Sequence, residues 1–190
     1  MNKRIIRDFF LAILILLLIW HFSPAKEILY QFVYDLQTRQ QPVKSYQEID
    51  RILAQFEQIP IESLDQEYLD WTQISQPTYQ KIMANTTFYK ITDKKIFQFI
   101  VGDFRIKHLL PQDDIYRYYI RTLKKNTPIY LLIDKELLYK LLDLQNALFE
   151  LGYNETGFDI VNGFRHPSYN IQVGGASKSR HILGLSLIHI

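Results

Sequence analysis

Residues Phe158 to Gly184 read FDIVNGFRHPSYNIQVGGASKSRHILG, and this stretch decides how the chain is understood. Phe158, Ile160 and Val161 make a short apolar run of the kind that fills a buried strand. Asn162-Gly163 marks a turn, and Arg165 and His166 follow at its mouth. Pro167 predicts the start of a helical turn through Ser168, Tyr169 and Asn170, because a helix does not need its missing N–H there. Gly174 and Gly175 permit backbone conformations closed to other residues. Ser179, Arg180 and His181 come next, with Gly184 behind them. A strand, a polar turn, a glycine pair and then an isolated imidazole suit a site better than a core.

The pattern Gly163-Phe164-Arg165-x-Pro167-x-Tyr169-Asn170, followed by Val173-Gly174-Gly175-Ala176-x-x-Ser179-x-His181-x-x-Gly184, resembles the zinc D-alanyl-D-alanine peptidases of bacterial cell walls, in the hedgehog-like metallopeptidase group. The match covers roughly the last 30 residues and is specific in order and spacing, unlike a lone glycine motif. The resemblance implies a zinc-dependent hydrolase of D-amino-acid peptide bonds in peptidoglycan. It makes His181 a zinc ligand, Arg165 the catalytic and substrate-binding cation, and Ser179 a substrate-binding hydroxyl. It also implies a helix packed on a small sheet that carries the metal ligands.

Each role has a plainer competitor. A lone histidine is more often a surface or core residue than a ligand, although neutral imidazole binds zinc well. Arg165 offers a planar, permanently charged fork for a carboxylate or a developing oxyanion, but a loop arginine also pairs with an acid such as Asp159. Ser179 reads almost equally well as a turn cap. His166 is either a contact to substrate or, by the more ordinary reading, a solvated loop residue. Tyr169 and Asn170 read as structural, with the amide satisfying turn backbone.

The resemblance also fails at one position. The family pattern implies a second ligand, an Asp, seven residues after the first His, and that position here is Ile188. The third ligand and the general base would lie further on. The six residues Leu185 to Ile190 are what a common sequencing-adapter sequence encodes in one reading frame. The expectation is therefore an inactive fragment of a peptidase with a non-native tail at 185–190. The alternative is a non-catalytic cell-wall-binding or scaffold module of the same fold.

Composition narrows the classes. Hydrophobic residues make up 47% and charged residues 22%, enough apolar side chains for a packed core. A net charge of +2, with no basic stripe interleaved with aromatics, argues against nucleic acid. The absence of cysteine removes disulfides, thiolate metal sites and a cysteine nucleophile. Lys3, Arg4 and Arg7 precede an unbroken apolar run from Phe9 to Trp20. A basic start before a short apolar run is the export pattern, so residues 1–25 read as a hydrophobic helix that is either a cleaved signal peptide or a membrane anchor. Both put the remainder outside the cytoplasm.

Residues 26–44 read as a membrane-proximal helix, Ile28 to Leu36, running into a polar linker. Residues 45–184 read as the peptidase-like portion, with its motif part at 134–184. Ser45 and Glu48 make a capping-box signature before a helical pattern ending near Pro60. Tyr68, Leu69 and Trp71 suggest a short helix. Thr87–Thr92 and Ile96–Phe104 alternate and predict a hairpin around Asp93-Lys94-Lys95. Tyr116 to Ile120 fits strand or helix. Pro128 to Ile133 predicts a strand, and Asp134 caps a helix from Lys135 to Leu151 that Gly152 stops. That helix has Leu138, Leu141, Leu142, Gln145, Leu148 and Phe149 on or near one face. The expected class is α+β: a small antiparallel sheet with packed helices.

Overall fold

The computed structural model describes residues 25–122, 128–153 and 160–189. The export or anchor segment lies outside the described residues except for Ala25, as do Phe158 and Asp159. The elements in order are α1 (Ala25–Thr38), α2 (Tyr46–Leu53), β1 (Glu57–Pro60), α3 (Gln66–Trp71), α4 (Pro77–Ile82), β2 (Thr87–Ile91), β3 (Phe99–Val101), β4 (Phe104–Arg105), α5 (Ile106–Leu109), α6 (Asp114–Thr122), β5 (Ile129–Leu131), α7 (Lys135–Glu150), β6 (Ile160–Asn162), α8 (Pro167–Gln172) and β7 (Ile188–His189). Short 3₁₀ turns lie at Ile61–Ser63, Asp93–Phe97 and Arg180–Leu183.

The architecture is mixed α+β, with small antiparallel sheets under packed helices. The largest sheet has the order β1-β2-β5, in register Gln58 to Tyr89 and Tyr89 to Leu131. The pairs β3-β4 and β6-β7 are separate. Among the described residues no helix is long and apolar enough to cross a membrane.

Local chemistry sets several elements. Ser45 accepts the Glu48 N–H at 3.3 Å, while the Glu48 carboxylate accepts from Lys44 N at 2.7 Å, so α2 starts where the capping pattern predicts. Asp134 accepts the Glu136 N–H at 2.9 Å and starts α7. Gly152, with φ +82°, follows its end. Along α7, Leu138, Leu141 and Leu142 are buried, but Phe149 points outward and is 62% exposed.

Two sequence expectations fail. The helix expected to run to Pro60 ends at Leu53, and Glu57–Pro60 is instead the edge strand β1. Only Ile59 of that strand is buried, so its residues carry little alternation to betray it. The expected hairpin does not form either. Asp93–Phe97 winds into a 3₁₀ turn, which carries β3 away from β2 to pair with β4. β2 then lies between β1 and β5.

Residues 26–44 are tied to the body. Gln40 donates to Phe97 O at 2.9 Å and accepts from Phe99 N at 3.0 Å. Val43 and Gly102 exchange backbone bonds at 2.9 and 3.0 Å. One apolar core runs from Tyr34 to Ile182. Phe164 enters it edge-on to Phe88 of β2, with ring centroids 5.7 Å apart. Burying a phenylalanine contributes roughly 1.5–3 kcal/mol, and here it fixes the backbone just before Arg165.

Candidate functional site

The motif is a loop sewn into the body at several backbone points. Phe164 N donates to Leu109 O at 3.0 Å, Arg165 N to His181 O at 3.0 Å, and Ser168 N to Thr72 O at 3.0 Å. Gly163 presses so closely on α5 that a Cβ there would sit 2.6 Å from Leu109 O. Gly184 has φ +66° and accepts the Asp134 N–H at 3.1 Å. A Cβ on it would meet Leu132 O at 2.4 Å. The strand β5 and the start of α7 thus hold the far end of the motif.

His181 lies in the 3₁₀ turn and is buried, with 8% exposure. Its Nδ1–H donates to Gly163 O at 2.8 Å, and its own carbonyl accepts from Arg165 N. A carbonyl partner only accepts, so Nδ1 carries the proton and Nε2 keeps its lone pair in the neutral ring. Nε2 makes no hydrogen bond among the described residues. Burial, with the positive Arg165 as a lesser contributor, pushes the imidazole below its usual value, while the bond to Gly163 O works the other way. The ring is therefore neutral at pH 7, the form a metal needs. A ligating histidine commonly donates its other ring N–H to a carbonyl in this way.

Arg165 and His181 come together through that backbone bond and through the field of the guanidinium at the ring. The Arg165 Nε is buried and has no hydrogen-bond partner among the described residues. Ser179 occupies the cap of the 3₁₀ turn: its Oγ accepts from His181 N at 3.4 Å. It steadies the turn that carries the imidazole. Asn170 is fully buried and donates Nδ2 to Ala176 O at 2.9 Å. Its amide occupies the space a Cβ on Gly175 would need, which explains that glycine.

His166 is where the ordinary reading of the sequence fails. It is 2% exposed, not solvated. Its Nδ1 accepts from Tyr169 N at 3.2 Å and lies 2.9 Å from Ser168 Oγ, capping α8. A backbone N–H can only donate, so Nε2 holds the proton and bonds the buried carboxylate of Asp113. Asp113 also accepts from Tyr116 N at 3.0 Å and so begins α6. Its charge adds to the burial that pushes the Tyr68 phenol upward. The pair bolts the starts of α6 and α8 together behind Arg165. The usable signal was an acid placed to cap a helix and a histidine in the N-cap position before Pro167.

Zinc needs more than one of these donors. Among the described residues no group of three His, Cys, Asp or Glu side chains is placed to hold a metal. Ile188, at the position of the implied second ligand, pairs through its backbone with Asn162. A cleft of about 230 Å³ between Pro42–Lys44, Gly102–Asp103 and α7 contains none of the motif residues. No family model, curated protein or solved structure matches the chain.

Proposed function

We propose that this chain belongs to a zinc-dependent peptidase that hydrolyses D-amino-acid peptide bonds of peptidoglycan outside the cytoplasm, with a hedgehog-like peptidase fold. The observation that carries the proposal is the setting of His181: buried, neutral, its Nδ1–H committed to Gly163 O, its Nε2 lone pair uncommitted, and Arg165 beside it. In this reading His181 gives one ligand to the metal. Arg165 holds the peptide's terminal carboxylate or the attacked carbonyl oxygen by charge-assisted bonds, and Ser179 keeps the His181 turn in place beside the substrate.

Bound zinc would lower the pKa of its water and polarise the scissile carbonyl. The described residues supply a single donor, which does not make a zinc site by itself, so no step through the metal is assigned to them. A specific observation favours a second reading: Ile188 stands where the resemblance implies an aspartate. On that reading the fold binds cell-wall peptide without cutting it.

The test uses the protein expressed from its intact gene, with muropeptides ending in D-Ala-D-Ala. The expected result is one zinc per protein and release of D-alanine. His181→Ala should lose both the zinc and the release. Arg165→Ala should keep the zinc and lose about 10²–10³-fold in rate, the usual loss for one oxyanion-stabilising donor. Binding of muropeptide without zinc or cleavage establishes the second reading, and neither binding nor cleavage overturns both.

A further inference from the structure

The helix α1 is turned inside out. A surface helix ordinarily buries its apolar stripe and shows its charges to water, but α1 does the reverse. Glu27 faces the body, 2.8 Å from Lys107 Nζ and 3.2 Å from the Tyr116 hydroxyl. Asp35 faces it too, paired with Arg105 at 2.9 and 3.2 Å. Tyr34 is buried between them, its ring 6.2 Å from that of Phe97. On the other side Ile28 is 68% exposed, Leu29 42%, Phe32 59% and Leu36 62%. At about 100° per residue these four fall within one arc of roughly 100°, a continuous apolar stripe with no charge in it. Single exposed leucines need no explanation, but an unbroken stripe of large side chains marks something that covers it.

We propose that this stripe lies on a lipid bilayer, with α1 flat in the headgroup region. Three observations favour lipid over a protein partner. The apolar run of the N-terminal segment ends at Trp20, five residues before α1 begins, a span of at most ~18 Å of chain. Where that segment stays on the chain as the membrane anchor its sequence suggests, a helix tethered so closely starts at the membrane surface. The basic residues Lys3, Arg4 and Arg7 precede that run, which sets α1 on the far leaflet. Lys26, on the flank of the stripe and 5.6 Å from the Tyr30 ring, adds a cation suited to anionic headgroups. The ion pairs to Lys107 and Arg105 then fix how the body sits over the lipid. This inference rests on the membrane-anchor reading of residues 1–25 and not on the peptidase reading.

The chain has no cysteine, so single labels are clean. Phe32→Cys, Leu36→Cys and Gln37→Cys are exposed positions whose replacement leaves the core intact. The full chain carrying a nitroxide at each is reconstituted in vesicles of phosphatidylcholine and phosphatidylglycerol. Collisions with oxygen, which concentrates in lipid, are compared with those of a water-soluble nickel chelate. The expected result is a several-fold preference for oxygen at 32 and 36 and a clear drop at 37, on the helix flank. A preference for nickel at 32 and 36 in vesicle-bound protein overturns the proposal. Shielding from both reagents also overturns it, because a second copy or another segment of the chain then covers the stripe.

Discussion

Two imidazoles of one loop are held in opposite ways. His166 spends both ring nitrogens, one on Asp113 and one on the Tyr169 N–H and Ser168. His181 spends one, on Gly163 O, and keeps the other. Both are buried, so burial alone does not separate a structural histidine from a ligand. The count of committed nitrogens does. A ring with none to spare is a bolt between elements. A ring oriented through one nitrogen and open at the other is in the state that the proposed ligand role requires.

Swapping each ring for alanine sharpens this most. His166→Ala removes the partner of a buried carboxylate and the cap of α8 together. It should cost about 3 kcal/mol, since breaking a buried hydrogen-bonded pair leaves an uncompensated charge. His181→Ala loses one bond to a carbonyl and should cost about 1–2 kcal/mol. Urea unfolding of the two variants measures the gap. Equal losses, or a larger one at His181, would break the comparison.

The sequence carried the two rings unequally for a physical reason. The groups that touch the His181 turn directly are local to its motif: Ser179 two residues before it, Gly163 at the preceding turn, Gly184 just after. The partner of His166 lies 53 residues upstream, in a Pro-Gln-Asp-Asp stretch where nothing points toward it. The same divide runs through the fold. The start of α7 was legible because Asp134 caps its own neighbours, and the start of α2 because Ser45 and Glu48 do. β1 was not, because a four-residue edge strand with one buried side chain is defined by its pairing to β2. The expected hairpin failed likewise: β2 pairs with β5, some forty residues on, and no local alternation encodes that choice. α1 was expected as a helix, but its reversed faces depend on Arg105 and Lys107, which a window on residues 25–38 does not contain.

A smaller perturbation acts on the orientation of the His181 ring itself. Gly163→Ala would bring a Cβ to 2.6 Å from Leu109 O and 2.9 Å from Leu109 Cα. Both are backbone atoms, so strand and helix must part. The cost should be about 2 kcal/mol, as for other overpacked sites. The Gly163 carbonyl would then leave Nδ1 of His181. Nitrogen NMR should find His181 in the wild type protonated at Nδ1 alone, and in the variant as a mixture of tautomers. His166, bolted elsewhere, should keep its proton on Nε2 in both. A change at His166 with none at His181 would reverse the assignment of roles.

The smallest effect is the dependence of stability on pH, and it isolates His181. Burial lowers its folded value below 6.5, so the folded state takes up the proton less readily than the unfolded chain. Above the unfolded value both states are neutral, and the contribution is complete. As pH falls below about 6.5 the unfolded chain binds its proton first, and stability drops until the lowered folded value is passed. His181→Gln cannot titrate. The stability difference between wild type and this variant should therefore shift against the wild type as pH falls from 7.5 toward 5, and flatten below the folded value. Chemical denaturation of both proteins across that range measures it. A difference that stays constant means the ring titrates as it would in water, and then its nitrogen is not held neutral for a metal by the fold.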